Sequence, residues 1–342
     1  MKLNKKIMIP LTIIICLLIV YISTMIGNTS VSFVEANKIL LNKLFGFTFG
    51  GTVDGTSGEA AIIWNIRLPR ILLCFITGGA LALCGSAFQG IFKNPMADPY
   101  ILGVSSGAAL GAAIGIVLNL NSGLIGMSSV TLLAFAGALL TIFVVYSISR
   151  VGRRVPVTNL LLSGVALSQT LSAFMSLVMI FNSENMTQIM FWTMGSLNGS
   201  DWTQILIVLP FVVFGGILLL TTSRELDIML LGEDTAMQLG VDVEKLKRKV
   251  LISASLIVAA VVSVTGIIGF VGLVVPHVVR IIAGPKHRVL MPVSIIVGGA
   301  FLIICDTLAR SVMASEIPVG IITAAFGGPF FIYLLRKNRK TG

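Results

Sequence analysis

WTQILIVLPFVVFGGILLLTT, residues 202–222, runs for twenty-one positions without a charged side chain. A hydrocarbon layer about 30 Å thick is crossed by about 20 apolar residues of helix. Strands of a membrane barrel are about half that length and alternate in polarity, and this stretch does not alternate. It reads as a helix that crosses a bilayer with its backbone hydrogen bonds closed within itself.

Outward from there, the pattern recurs at residues 7–27, 61–91, 99–120, 128–149, 156–181, 248–268, 272–284, 291–313 and 318–336. The segment at 272–284 is short for a full crossing, so neighbouring segments or a broken helix must make up the distance. Only 11% of the 342 residues are charged, against roughly 25% in soluble domains, too little to coat a globule in water. The predicted fold class is an all-α membrane protein of about ten transmembrane helices. One membrane domain accounts for residues 1–342, with no internal repeat, low-complexity run or soluble domain.

The formal charge of +10 is a topology signal. If the connections are assigned alternately to the two sides, 19 of the 24 Lys and Arg fall on one side. Lys38, Lys43, Arg67, Arg70 and Arg310 fall on the other. Such asymmetry marks the basic side as cytoplasmic, which places both termini there in a multi-pass protein of the inner cell membrane and excludes a nucleic-acid role. The Lys-rich start, apolar from Ile7, is expected to be a retained first helix, because no small-residue cleavage site follows.

Two connections are long enough to have structure. Residues 28–60 lie outside, and Val31–Leu40 places apolar groups at helical spacing, as in a short helix on the outer surface; the Gly/Thr-rich stretch after it reads as a loop. Residues 226–249 lie inside and mix both charge signs with Leu226, Met229, Leu230, Leu231, Met237 and Leu239, a composition suited to docking another protein. Gly232 and Gly240 permit two short helices with a sharp turn.

Cys16, Cys74, Cys84 and Cys305 sit inside apolar segments without zinc or disulfide spacing, so they read as packing residues. His277 and His287 have no ligand partner at metal spacing, so no metal site is expected. Gly103, Gly107, Gly111 and Gly115 clear one helix face for close approach of another backbone. Asn94-Pro95 and Asp98-Pro99 start a tight turn. No run of carboxylates crosses a segment, which argues against an ion-coupled carrier. No phosphate-binding loop of the GxxxxGK[ST] type is present, so an ATP-driven process needs a separate ATPase, with residues 226–249 as its docking loop. Arg67 and Arg70 are three apart, and Arg310 follows Asp306 by one turn. On residues alone, interfacial anchoring and capture of an outer partner's carboxylates stand level.

NPMADPYILGVSSGA (94–108), GFVGLVVPHVVR (269–280), PKHRVLMP (285–292) and EIPVGIITAAFGGPFF (316–331) together resemble the FecCD-type permeases of ABC importers for iron chelates and cobalamin. The resemblance spans nearly the whole chain. It implies the permease subunit of a type II importer, paired with a second permease as homodimer or heterodimer, in contact with membrane lipid. Two cytoplasmic ATPase subunits and an extracellular substrate-binding protein are implied as partners, with no cofactor on this chain and ATP used by the ATPase. The expected cargo is a ferric siderophore, then haem, with cobalamin or an ion-coupled carrier as alternatives.

By the same resemblance, Arg67, Arg70 and Arg310 meet acidic residues of the binding protein. Leu230, Leu231, Gly232, Glu233, Asp234, Thr235, Ala236, Met237, Leu239, Gly240 and Val241 match the helices that seat in the ATPase. Val157 and Thr158 match the cytoplasmic gate, and Ser163, Ser168 and Gln169 lie on the helix matching the one that lines the pathway.

Overall fold

A computed structural model describes residues 5–27, 32–45, 58–119, 128–152, 154–312 and 316–338. Among them no strand forms. The helices are α1 (Lys5–Met25), α2 (Phe33–Phe45), α3 (Gly58–Ala61), α4 (Leu68–Ile91), α5 (Val104–Leu118), α6 (Ser129–Ser149), α7 (Val157–Phe181) and α8 (Met186–Thr193). They continue as α9 (Trp202–Thr221), α10 (Ser223–Met229), α11 (Glu233–Gln238), α12 (Val243–Thr265), α13 (Val271–Ala283), α14 (His287–Ala309) and α15 (Val319–Asn338). A π turn, Ile62–Arg67, joins α3 to α4, so Gly58–Ile91 is one long rod. Among the described residues, seven helices are long and apolar enough to cross a membrane. The shorter α5, α13 and α15 are apolar as well, and together these are the ten expected segments in the expected order.

Helix α2 forms where the 28–60 connection shows helical spacing. Its Ala36 and Ile39 are buried against Ala60 and Ile63. The Gly/Thr-rich stretch that follows lies outside the described residues.

Several boundaries differ from those read off hydropathy. Helix α5 begins at Val104, because Asp98 folds residues 98–103 into a turn in which its Oδ1 accepts from the Tyr100 N–H at 2.8 Å. Helix α12 begins at Val243, where Asp242 Oδ1 caps the Lys245 N–H at 3.0 Å. Helix α14 runs from His287 to Ala309, four residues earlier than the apolar run. A hydropathy reading stops at the first charges, whereas a capped helix continues through them.

The short eighth segment is α13, with 13 residues. It follows a non-helical run at 266–270, opened by Gly266 at φ 68° and closed by Phe270 at φ 68°. Irregular backbone among membrane helices needs internal hydrogen-bond partners. Tyr100 Oη donates to the Ile268 carbonyl at 3.1 Å, and Thr265 Oγ1 donates to the Gly266 carbonyl at 3.1 Å.

The core is formed by α4, α12, α13 and α14, with α5 laid against α6. The glycine ladder sits at that second contact, where a Cβ on Gly111 would run into the Leu133 carbonyl oxygen. All four cysteines are buried and free.

Candidate functional site

The three arginines of the Lys/Arg-poor end meet. Arg67 closes the π turn, Arg70 follows in the first turn of α4, and Arg310 caps α14 one turn after Asp306. Arg70 Nε lies 3.1 and 3.0 Å from the two Asp306 oxygens, and its Nη2 is 2.9 Å from Oδ1. Its Nη1 donates to Glu316 Oε2 at 2.8 Å. Arg310 Nη2 donates to the Ser23 carbonyl at 2.6 Å and the Ser23 hydroxyl at 2.8 Å. Arg67 Nη1 donates to the Thr24 carbonyl at 3.0 Å.

The sequence suggested outward-facing side chains, but all three residues are buried, at 4%, 7% and 4% exposure. The reason lies in α1. The last carbonyls of a helix have no partner within it, and cations at that end also complement its dipole. Arg67 and Arg310 take up the final carbonyls of α1 and fasten it to α4 and α14. Arg70 pairs with both Asp306 and Glu316, Arg310 Nε lies 3.7 Å from Asp306 Oδ2, and of the two carboxylates Glu316 is the one with substantial exposure, at 27% of its side chain.

Helix α7 is the barest membrane-length helix. Only Leu160 and Gly164 are buried along its 25 residues. Its exposed face carries Thr158, Gln169, Thr170, Ser172 and Ser176 among Leu162, Val165 and Phe174. Lipid alone is a poor neighbour for such a mixture. Of the residues expected on a pathway, Gln169 is exposed and Ser163 partly so. Ser168 is partly exposed as well; its hydroxyl lies beside Gly103, the residue before α5, and donates to the Gly164 carbonyl at 2.7 Å. Thr158 is exposed and Val157 half-exposed at the start of the helix.

At the basic end, residues 223–242 fold as α10 and α11. The two sharp turns fall where glycine was noted, at Gly232 (φ 120°) and Gly240 (φ 84°). Leu226, Met229 and Ala236 are fully buried and Val241 nearly so. Leu230, Leu231, Met237 and Leu239 stand out at 47%, 64%, 53% and 58% exposure, and Asp234 and Thr235 are exposed beside them. Four large apolar side chains thus stand together on one exposed hairpin, a grouping unusual for a surface left in water.

Four polar groups that sequence reading missed hold this hairpin. Asp227 Oδ1 accepts from the His287 backbone N–H and lies 3.2 Å from His287 Nδ1, joining α10 to α14. Lys247, 5% exposed, lies 3.1 Å from Glu233 Oε2 and 3.6 Å from Glu244 Oε1. Glu244 Oε2 in turn accepts from the Val155 N–H at 2.9 Å. A chain of contacts therefore runs from α11 through α12 to the residue two before α7. The i, i+3 spacing of Glu244 and Lys247 was a visible signal; the reach to Val155 was not.

The sequence profile of the FecCD transport family matches residues 14–337. The chain is 50% identical over 277 residues to the cobalamin import system permease protein BtuC of Halobacterium salinarum, across 81% of this chain and 74% of the relative. It is 39% identical over 295 residues to the hemin transport system permease protein HmuU of Yersinia pestis, across 84% and 88%. A solved structure described as an inward-facing conformation of a metal-chelate type ABC transporter superposes with a TM-score of 0.84 at 31% identity, across 98% of this chain and all of that one.

Proposed function

This chain belongs to the FecCD transport family, and from that premise we propose that it passes a bulky metal chelate inward through a binding-protein-dependent importer. It is an integral membrane protein and an ABC-importer permease; subunits of this kind are not themselves catalytic. The proposed setting is the inner cell membrane, with both termini cytoplasmic. A second permease pairs across α7, two ATPase subunits sit on the basic end, and a substrate-binding protein delivers cargo at the opposite end. ATP is used by the ATPase, and this chain holds no cofactor.

The observation that carries this reading is the exposed apolar hairpin of α10 and α11, tied through Lys247 and Glu244 to the start of α7. An ion-coupled carrier or a channel has no use for such a lever. A permease driven by another subunit needs one, because ATP must bias two packings of the same helices. Closure of the ATPase dimer pushes Leu230, Leu231, Met237 and Leu239. The push reaches Val155 and shifts Val157 and Thr158, the proposed gate. Gln169, Ser163 and Ser168 then border the pathway.

Docking of the binding protein is proposed at the Arg67–Arg70–Arg310 cluster. Its acidic residues compete for Arg70 against Glu316, the most exposed partner in the network. The inward-turned arginines thus join the docking face to α1, α4 and α14.

For cargo, the 50% identity to a chain named for cobalamin import favours cobalamin over the ferric siderophore suggested by the sequence. Haem is the second reading, from the relative named for hemin. The test is uptake of labelled cobalamin, haem and ferric siderophores by cells with and without this gene. Loss of one class, restored by the gene and blocked by vanadate, supports the proposal. Uptake insensitive to vanadate but abolished by ionophores would sink the ATP-driven assignment.

A further inference from the structure

Between the end of α6 and the start of α12 lies a pocket of about 470 Å³, whose lining includes Tyr146, Arg150, Arg154, Lys245 and Arg248. The four cations are exposed, and among the described residues none has a carboxylate within ion-pair distance. The two acids that also line it are occupied: Asp242 caps α12, and Glu244 is held by Lys247 and the Val155 N–H. The site is therefore cationic, concave and open.

We propose that this pocket binds the headgroup of an anionic phospholipid, with phosphatidylglycerol as the simplest example. Guanidinium groups match phosphate oxygens in a two-pronged geometry that an ammonium lacks. Basic pockets between membrane helices on the cytoplasmic side suit anionic headgroups, and a tyrosine is at home at that depth. Helix α6 supplies the rest of the molecule's contact. Phe143 and Arg150 are two turns apart and share one face, and Leu132, Leu140 and Phe143 on that face are 40%, 63% and 67% exposed. An apolar strip about 16 Å long, roughly the depth of one leaflet, thus leads toward the cations. A free phosphate has no use for the strip, and an acidic protein segment would not lie along it. The inference needs only that α6 crosses the membrane and stands apart from the transport reading.

The test is native mass spectrometry of the full chain released from detergent, titrated separately with phosphatidylglycerol and phosphatidylcholine. Wild type should retain phosphatidylglycerol about tenfold better than phosphatidylcholine, as expected for several cations at a headgroup. The variant R150Q/R154Q/K245Q/R248Q should lose that preference, while K38Q/K43Q, at the opposite end, should keep it. If the quadruple variant does not fold, K245Q/R248Q should reduce the preference in part. Equal retention of both lipids by wild type, or an unchanged preference in both pocket variants, overturns the proposal. Displacement of bound phosphatidylglycerol by millimolar inorganic phosphate assigns the pocket to a free anion and overturns it as well.

Discussion

Glu244 accepts a hydrogen bond from the backbone N–H of Val155 at 2.9 Å, bridging two segments 89 residues apart in sequence. Its other oxygen lies 3.6 Å from the Lys247 ammonium, which also holds Glu233 of α11. One carboxylate therefore couples the exposed hairpin to the start of α7. Replacing it should separate ATP hydrolysis from transport. Glu244→Ala removes both links, and a charge-assisted hydrogen bond is worth about 1.5–3 kcal/mol, so cargo uptake should fall at least about tenfold. ATPase activity of the assembled complex should persist. Glu244→Gln still accepts from Val155 and should lose less. Equal loss of uptake and ATPase activity in both variants would mean the residue serves assembly and not transmission.

Arg70 binds Asp306, which is 1% exposed, and Glu316, which is not fully buried. These two partners should behave oppositely. Asp306→Asn leaves a buried guanidinium without its main counter-charge, a loss of about 3–5 kcal/mol, and should lower the thermal midpoint in detergent sharply. Glu316→Gln removes a competitor at the surface, where single pairs contribute at most about 1 kcal/mol. It should leave the midpoint near wild type and tighten docking of the binding protein. Unchanged affinity of the Glu316→Gln variant for the binding protein, measured by titration in nanodiscs, removes Arg70 from the docking face.

Leu231 and Met237 project from α10–α11 at 64% and 53% exposure. Exposed side chains contribute little to the fold of their own chain, so Leu231→Asp with Met237→Asp should leave the thermal midpoint within a few degrees of wild type. Burying two carboxylates against an apolar groove is costly, so co-purification of the ATPase should fail. Retention of the ATPase by the double variant would place the docking surface elsewhere.

Hydropathy and charge made the ten segments legible because a bilayer imposes length and sidedness on every helix at once. Gly232 and Gly240 were legible because sharp turns demand positive φ. The inward orientation of Arg67, Arg70 and Arg310 was not, since it depends on where α1 ends, and the carbonyls of Ser23 and Thr24 leave no trace in side-chain identity. The contact of Ser168 with Gly103 was hidden for a related reason: a serine on this helix has the same letter whatever lies beside it. The Glu244–Val155 link was hidden because its donor is backbone.

Asp98, between α4 and α5, offers a test that works through pH. Removal from water pushes its carboxyl up to about 6, against an ordinary value of 3.8, although the hydrogen bond from the Tyr100 N–H opposes the rise. A group whose pKa is higher in the folded protein binds its proton more tightly there. Folding is thus favoured at low pH, and that contribution is lost as pH rises from about 4 through about 6. Asparagine keeps the acceptor oxygen for Tyr100 and cannot ionise. Asp98→Asn should therefore raise the thermal midpoint at pH 7, with the advantage shrinking as the pH approaches 4. A variant less stable than wild type at pH 7 would show that the ionised carboxylate itself has a favourable partner in this turn.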